Sequence, residues 1–155
     1  MSCHAVSPAA ADANEGEHDL ATLLGTLRPE RRDGVYRFAT LASTDKIDFE
    51  RVLCAMHEPE GVSIVARESE LPANAAPSAL RCCWITLRVR SSLAAVGLTA
   101  TVAGTLAQAG IACNVVAGTR HDHLFVPLAD ADRAMALLAA LQRSSDTVPD
   151  HGTSP

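Results

Sequence analysis

Residues 84–128 read WITLRVRSSLAAVGLTATVAGTLAQAGIACNVVAGTRHDHLFVPL, and the hydrophobic period changes along them. From Trp84 to Arg90 the period is two. Ile85, Leu87 and Val89 fall on one face, Trp84, Thr86, Arg88 and Arg90 on the other, as in a strand with one buried face. From Val96 the spacing predicts a helix: Val96, Ala100, Ala103 and Ala107 form a stripe, widened by Val102, Leu106 and Ala109. Gly110 stops it, as a left-handed residue after the last turn would. Ile111 to Ala117 is apolar and β-branched, Gly118-Thr119 is a turn, and His123 to Pro127 alternates again. Asp130 stands where an N-cap belongs, ahead of a last helical stripe of Ala131, Met135, Leu138 and Leu141. The order is β-α-β-β-α.

That order fits the split βαβ, ferredoxin-like plan, an antiparallel sheet with helices on one face. The runs WITL, SSLAAVGLTA, AGIACNVV and HDHLFVP resemble the ACT-domain superfamily, and more closely a family of short bacterial proteins with two ACT-like halves. The earlier segments GVYRFATL and EPEGVSIV look like that family's N-terminal half. The resemblance runs from Leu20 to Leu141. It implies an α+β, ferredoxin-like ACT fold (βαββαβ type), with two ACT-like halves in tandem and antiparallel sheets. It also implies a regulatory domain that binds a small molecule, commonly an amino acid, with no cofactor and no chemistry of its own.

Composition narrows the rest. The 155 residues suffice for one domain, or for two small ones sharing a core. Hydrophobic residues make up 48% but aromatic ones only 3%, so Ala, Val and Leu must fill the interior. A formal net charge of −5 and scattered arginines argue against a nucleic-acid partner. No apolar run is long enough to span a membrane. The N-terminus lacks the basic and apolar regions of a secretory signal, so the expected location is cytoplasmic. Five cysteines (Cys3, Cys54, Cys82, Cys83, Cys113) fit neither a disulfide framework nor a zinc site, and reduced thiols are expected.

Taken in order, residues 1–17 form an aperiodic leader and 143–155 a polar tail, both expected to be disordered. Between them lie an N-terminal half at 18–76 and a C-terminal half at 77–142. Leu20, Leu23, Leu24 and Leu27 mark a helix that ends before Pro29. Glu30 to Gly34 reads as a charged turn, and Val35 to Leu41 as a strand with Tyr36, Phe38 and Thr40 on one side. Arg51 to His57 and Gly61 to Ala66 bracket EPEG as a hairpin, with a helical turn over 49–56 as the alternative. Glu68 to Leu71 allows one helical turn, and Pro72 to Ser78 is the linker. Neither half holds a full βαββαβ set, so each is expected to complete the other.

Several residues are candidates for a site. Ser91, Ser92, Val96, Gly97, Leu98 and Thr99 join the first strand to the helix, where free amides and hydroxyls can cradle a carboxylate. The ACT resemblance puts effector binding at this loop, whereas the residues alone favour a plain helix cap. Asn114 stands in an apolar strand, where a buried amide would hold the loop, pair across an interface or receive a ligand. His121 and His123 project to one face at i, i+2. They fit hydrogen bonding within the fold better than a metal, because no third ligand is visible and Asp122 faces the other way. Glu58 and Glu60 flank a hairpin tip, where a carboxylate is usually just solvated; Glu60 could still meet a cationic ligand head.

The resulting expectation is a non-catalytic, amino-acid-binding ACT regulator. Its ligand would sit at the seam between halves or subunits, with Ser91, Ser92, Val96 to Thr99, Asn114, His121, His123 and Glu60 around it. Homo-oligomerisation, as a dimer, is expected. The alternatives are a ligand-free interaction module, or a metal protein or enzyme built on His121 and His123.

Overall fold

The computed structural model describes residues 16–43 and 47–145. The elements are α1 (Leu20–Gly25), β1 (Pro29–Arg31), β2 (Tyr36–Leu41), β3 (Val52–Glu58), β4 (Gly61–Arg67), β5 (Ala76–Pro77), β6 (Cys82–Leu87), α2 (Leu98–Gln108), β7 (Asn114–Ala117), β8 (Asp122–Pro127) and α3 (Ala131–Ser145). One antiparallel sheet runs β3-β4-β2-β6-β8-β7, with β1 also on β6 and β5 on β2. This is the α+β, ferredoxin-like arrangement expected of two ACT halves.

β6 joins the halves. Its Cys82 end meets Tyr36 of β2, its Ile85-to-Leu87 end meets β1, and its other edge carries β8 along its whole length. The helix-facing side of this region buries Cys83, Ile85, Leu87, Leu124 and Val126 beneath Leu98, Val102 and Leu106 of α2 and Ala134 and Leu138 of α3. Leu23 and Leu27, from α1 and just after it, are 0% exposed in that same cluster, so a helix from the N-terminal half completes the C-terminal core. On the corresponding side of β2 and β4, Ala39, Leu41, Val62 and Ile64 pack with Val52 of β3 and with the connector residues Ile47, Leu71 and Ala75.

Three expectations need correcting. Glu30 and Arg31 are not turn residues but part of β1, whose pairing comes from β6 rather than from any pattern of their own. The stretch 72–78 is not all linker, because Ala76 and Pro77 pair with Thr40 and Ala39. The buried stripe of α2 is Leu98, Val102 and Leu106; Val96 precedes the helix and is 84% exposed. Small alanines gain little from burial, so the larger residues decide which face turns inward. The hairpin around EPEG stands as expected: residues 52–58 are a strand paired with β4, and the alternative of a helical turn falls away.

Gly110 does stop α2. With φ of 72° it lets its own amide reach the Ala107 carbonyl and the Ile111 amide reach Leu106, while Ile111 and Leu106 share the core. The leader and tail lie largely outside the described residues, but Gly16 and Glu17 are described and α3 continues to Ser145.

Candidate functional site

Two hollows on opposite faces of the sheet hold the polar groups of interest. The first, about 70 Å³, lies where β6 feeds α2 and is lined by Ser91, Ser92, Leu98, Thr99, Ala117 and Asp122, among others. Gly97 is the N-cap of α2, with φ of 105° and no side-chain cap. A helix leaves its first amides without intrahelical acceptors, and they carry the positive end of its dipole. Gly97 offers them no side-chain acceptor, and Leu98 and Thr99 of that first turn line the hollow.

The lead-in to α1 walls this corner. The Glu17 amide donates to the Arg90 carbonyl at 2.7 Å, and the Ser92 amide donates to the Glu17 carbonyl at 2.9 Å. A Cβ on Gly16 would stand 2.4 Å from backbone atoms of Ser91 and Ser92, so only glycine passes there. The Ser92 hydroxyl accepts from the Ala94 amide at 3.2 Å. Ser92 therefore shapes the loop. The hollow itself is lined from the C-terminal half, and the N-terminal segment braces its loop from outside.

Asp122 closes the hollow from the sheet. It pairs with Leu87 and Ala117 on the helix-facing side and is 7% exposed. None of the described residues donates a hydrogen bond to its carboxyl group. Burial pushes its pKa up, and the neighbouring His121 only partly opposes this. Such a group gains most from a cation. Sequence reading noted only that Asp122 faces away from the histidines. The missed signal was an acid in phase with the buried Leu124 and Val126.

The second hollow, about 250 Å³, opens on the face without helices and is lined by Leu53, Cys54, Trp84, Val116, His123 and Phe125. Tyr36 and Phe38 pack edge-on against Trp84 and Phe125 at centroid distances of 5.3 and 5.5 Å. Four of the chain's five aromatic residues are thus gathered at one place.

The residues expected to form one site are spread over several. Ser91, Ser92, Leu98 and Thr99 line the corner with Gly97 at its edge, whereas Val96 points to solvent. His123 lines the aromatic hollow instead. Its Nδ1 accepts from the Trp84 indole at 3.2 Å, while Nδ1 of His121 lies 3.3 Å from the Val89 carbonyl. The pair does not converge, and among the described residues no group of three or more His, Cys, Asp or Glu is placed to hold a metal ion. Asn114 is not buried: it starts the edge strand β7, exposed, with its amide 3.5 Å from the Phe125 carbonyl. Glu60 sits at the β3–β4 tip, beside a hollow lined by His57, Glu58 and Pro59.

Two ACT-domain family profiles match the chain in tandem, over residues 15–79 and 79–140. The chain belongs to the ACT-domain superfamily and carries two such domains in succession. It is similar to a Vibrio cholerae protein of unknown function, described as a possible transport protein. The two are 35% identical over 79% of this chain and 95% of the other, with a TM-score of 0.70. A protein from Agrobacterium tumefaciens shares the fold at 22% identity, over 75% of this chain and 89% of its own, with a TM-score of 0.59. So does the regulatory subunit of aspartate kinase from Thermus flavus, at 9% identity over 73% and 95%, with a TM-score of 0.51. No curated protein matches the chain. No helix among the described residues is long and apolar enough to cross a membrane.

Proposed function

We propose that this protein is a non-catalytic regulator that binds a free α-amino acid at the corner where β6 feeds α2. The carrying observation is the pairing of opposites there: a helix N-terminus without a side-chain cap, and a largely buried Asp122 whose carboxyl group takes no hydrogen bond from the described residues. A zwitterion supplies what each lacks. Its carboxylate lies on the first amides of α2 beside Thr99, and its ammonium sits on Asp122, which ionises to receive it. Family membership supports the reading, because ACT domains are regulatory modules. The hydrogen bonds that pin Glu17 to Arg90 and Ser92 support a site close to the seam between halves.

The effect on a partner follows by linkage: whatever arrangement binds the amino acid better is the one it stabilises. β3 and β7 end the sheet, and their free edges provide a route to a dimer. Four cysteines without disulfides (Cys54, Cys82, Cys83, Cys113) suit a reducing cytoplasm.

A thermal-shift screen of the twenty amino acids, with and without Asp122→Asn, tests the reading. A ligand at about one hundred times its Kd adds roughly 2.7 kcal/mol, and the Asn variant should lose most of that gain. If no amino acid raises the midpoint, or if the variant responds like the wild type, the reading fails.

A further inference from the structure

We propose that the 250 Å³ hollow on the helix-free face is a second binding site, for a small aromatic compound carrying one hydrogen-bond acceptor. The site is separate from the corner and does not depend on the amino-acid reading.

The first argument is the floor. Trp84 is fixed on several sides: Arg32 lies over its ring at 5.5 Å, Tyr36 meets it edge-on, and Phe125 stacks with a 16° interplanar angle. A flat, immobilised aromatic surface is ready for another ring, with little side-chain ordering left to be done on binding.

The second is the rim. β3 carries a bulge between Val52 and Cys54, where Leu53 is the extra residue. Strict alternation would send Leu53 and Cys54 to opposite faces, yet both line this hollow. Bulges re-aim side chains in this way, and here one supplies an additional apolar wall.

The third is a directed proton. An indole N–H can only donate, so Nδ1 of His123 must be bare to accept from Trp84. Thr86 supports this: its Oγ1 takes the Arg32 Nε–H at 3.2 Å and lies 3.3 Å from the same Nδ1. The neutral ring then carries its hydrogen on Nε2, which has no partner among the described residues. Gly118 adds no side chain beside that nitrogen, where a Cβ would stand 3.5 Å away. One fixed donor in an otherwise apolar hollow calls for one acceptor on a ring.

Titrating the full chain with benzoate, benzamide and toluene, read by Trp84 emission and by imidazole nitrogen resonances, tests the proposal. All three should bind saturably. His123→Phe should weaken benzoate and benzamide about tenfold and leave toluene unchanged, and His123→Gln, which keeps a donor, should recover part of the loss. Leu53→Phe, at the exposed bulge, should block all three by filling the hollow. Asp122→Asn should alter none of them. No saturable response to any probe, equal benzoate affinity in His123→Phe, or loss of binding in Asp122→Asn would each overturn it.

Discussion

The indole nitrogen of Trp84 donates to Nδ1 of His123 across the β6–β8 pair, at 3.2 Å. The two residues are not direct cross-strand partners: Trp84 faces Phe125, and His123 faces Thr86. The bond is diagonal, and it ties the chain's one tryptophan to a titratable ring.

Protonating His123 must break that bond. Burial lowers its pKa below the ordinary 6.5, and the positive charges of His121 and Arg32 act in the same direction. A lowered histidine pKa contributes stability that is present above 6.5 and lost as pH falls through the folded-state value. Trp84 emission should therefore titrate with a midpoint below 6.5, with the melting temperature falling over the same range. His123→Gln should remove both effects. A fluorescence midpoint at or above 6.5 contradicts the assignment.

Asp122 has the opposite sign. Its pKa is raised by burial above 3.8, so the stability it contributes is present below 3.8 and lost as pH rises through the folded-state value. Asp122→Asn should stabilise the ligand-free protein at pH 7, and the gain should shrink steadily toward pH 4. Urea midpoints at the two pH values measure it. A variant less stable than wild type at pH 7 would show that the carboxylate has a partner after all.

Gly97 should resist substitution for a backbone reason. At φ of 105° any side chain is strained, and a Cβ would also come within 2.9 Å of Cδ2 of Leu20, the movable end of a flexible chain. Gly97→Ala should cost about 1–3 kcal/mol, with most of the loss surviving in a Leu20→Ala background. If Leu20→Ala cancels the cost, crowding rather than strain was responsible.

Leu23 tests whether the halves are one cooperative unit. It belongs to the first half and is buried in the core of the second. Leu23→Ala should cost about 2–5 kcal/mol, and Trp84 emission and far-ultraviolet circular dichroism should still unfold together. Separate transitions would mean the halves fold independently.

The fold was legible where one element's own pattern decides its state. Ile85 and Leu87 alternate, Gly110 ends a helix, and Pro59-Glu60-Gly61 turns a hairpin. It was illegible where the partner decides. Pro29 to Arg31 and Ala76-Pro77 are too short to show any period, and they are strands only because β6 and β2 offer edges to them. The α2 stripe was read out of phase because alanines outnumber the residues that set its orientation. At the corner, the serine-rich loop and Gly97 could be read from sequence; for Asp122 only its phase with Leu124 and Val126 was there to read, and nothing local says that such an acid will be shut in with a helix end. The grouping of Trp84, Phe125, Tyr36 and Phe38 likewise depends on strand order, which no single segment contains.

Because β6 bonds to strands of both halves and α1 is embedded beneath the far one, the two lobes are stitched together rather than joined by a swivel. A rotation of one lobe against the other would tear main-chain bonds and bare Leu23 and Leu27. Occupancy at the corner can therefore reach a distant surface only by stiffening the common body or by changing how copies of the chain associate.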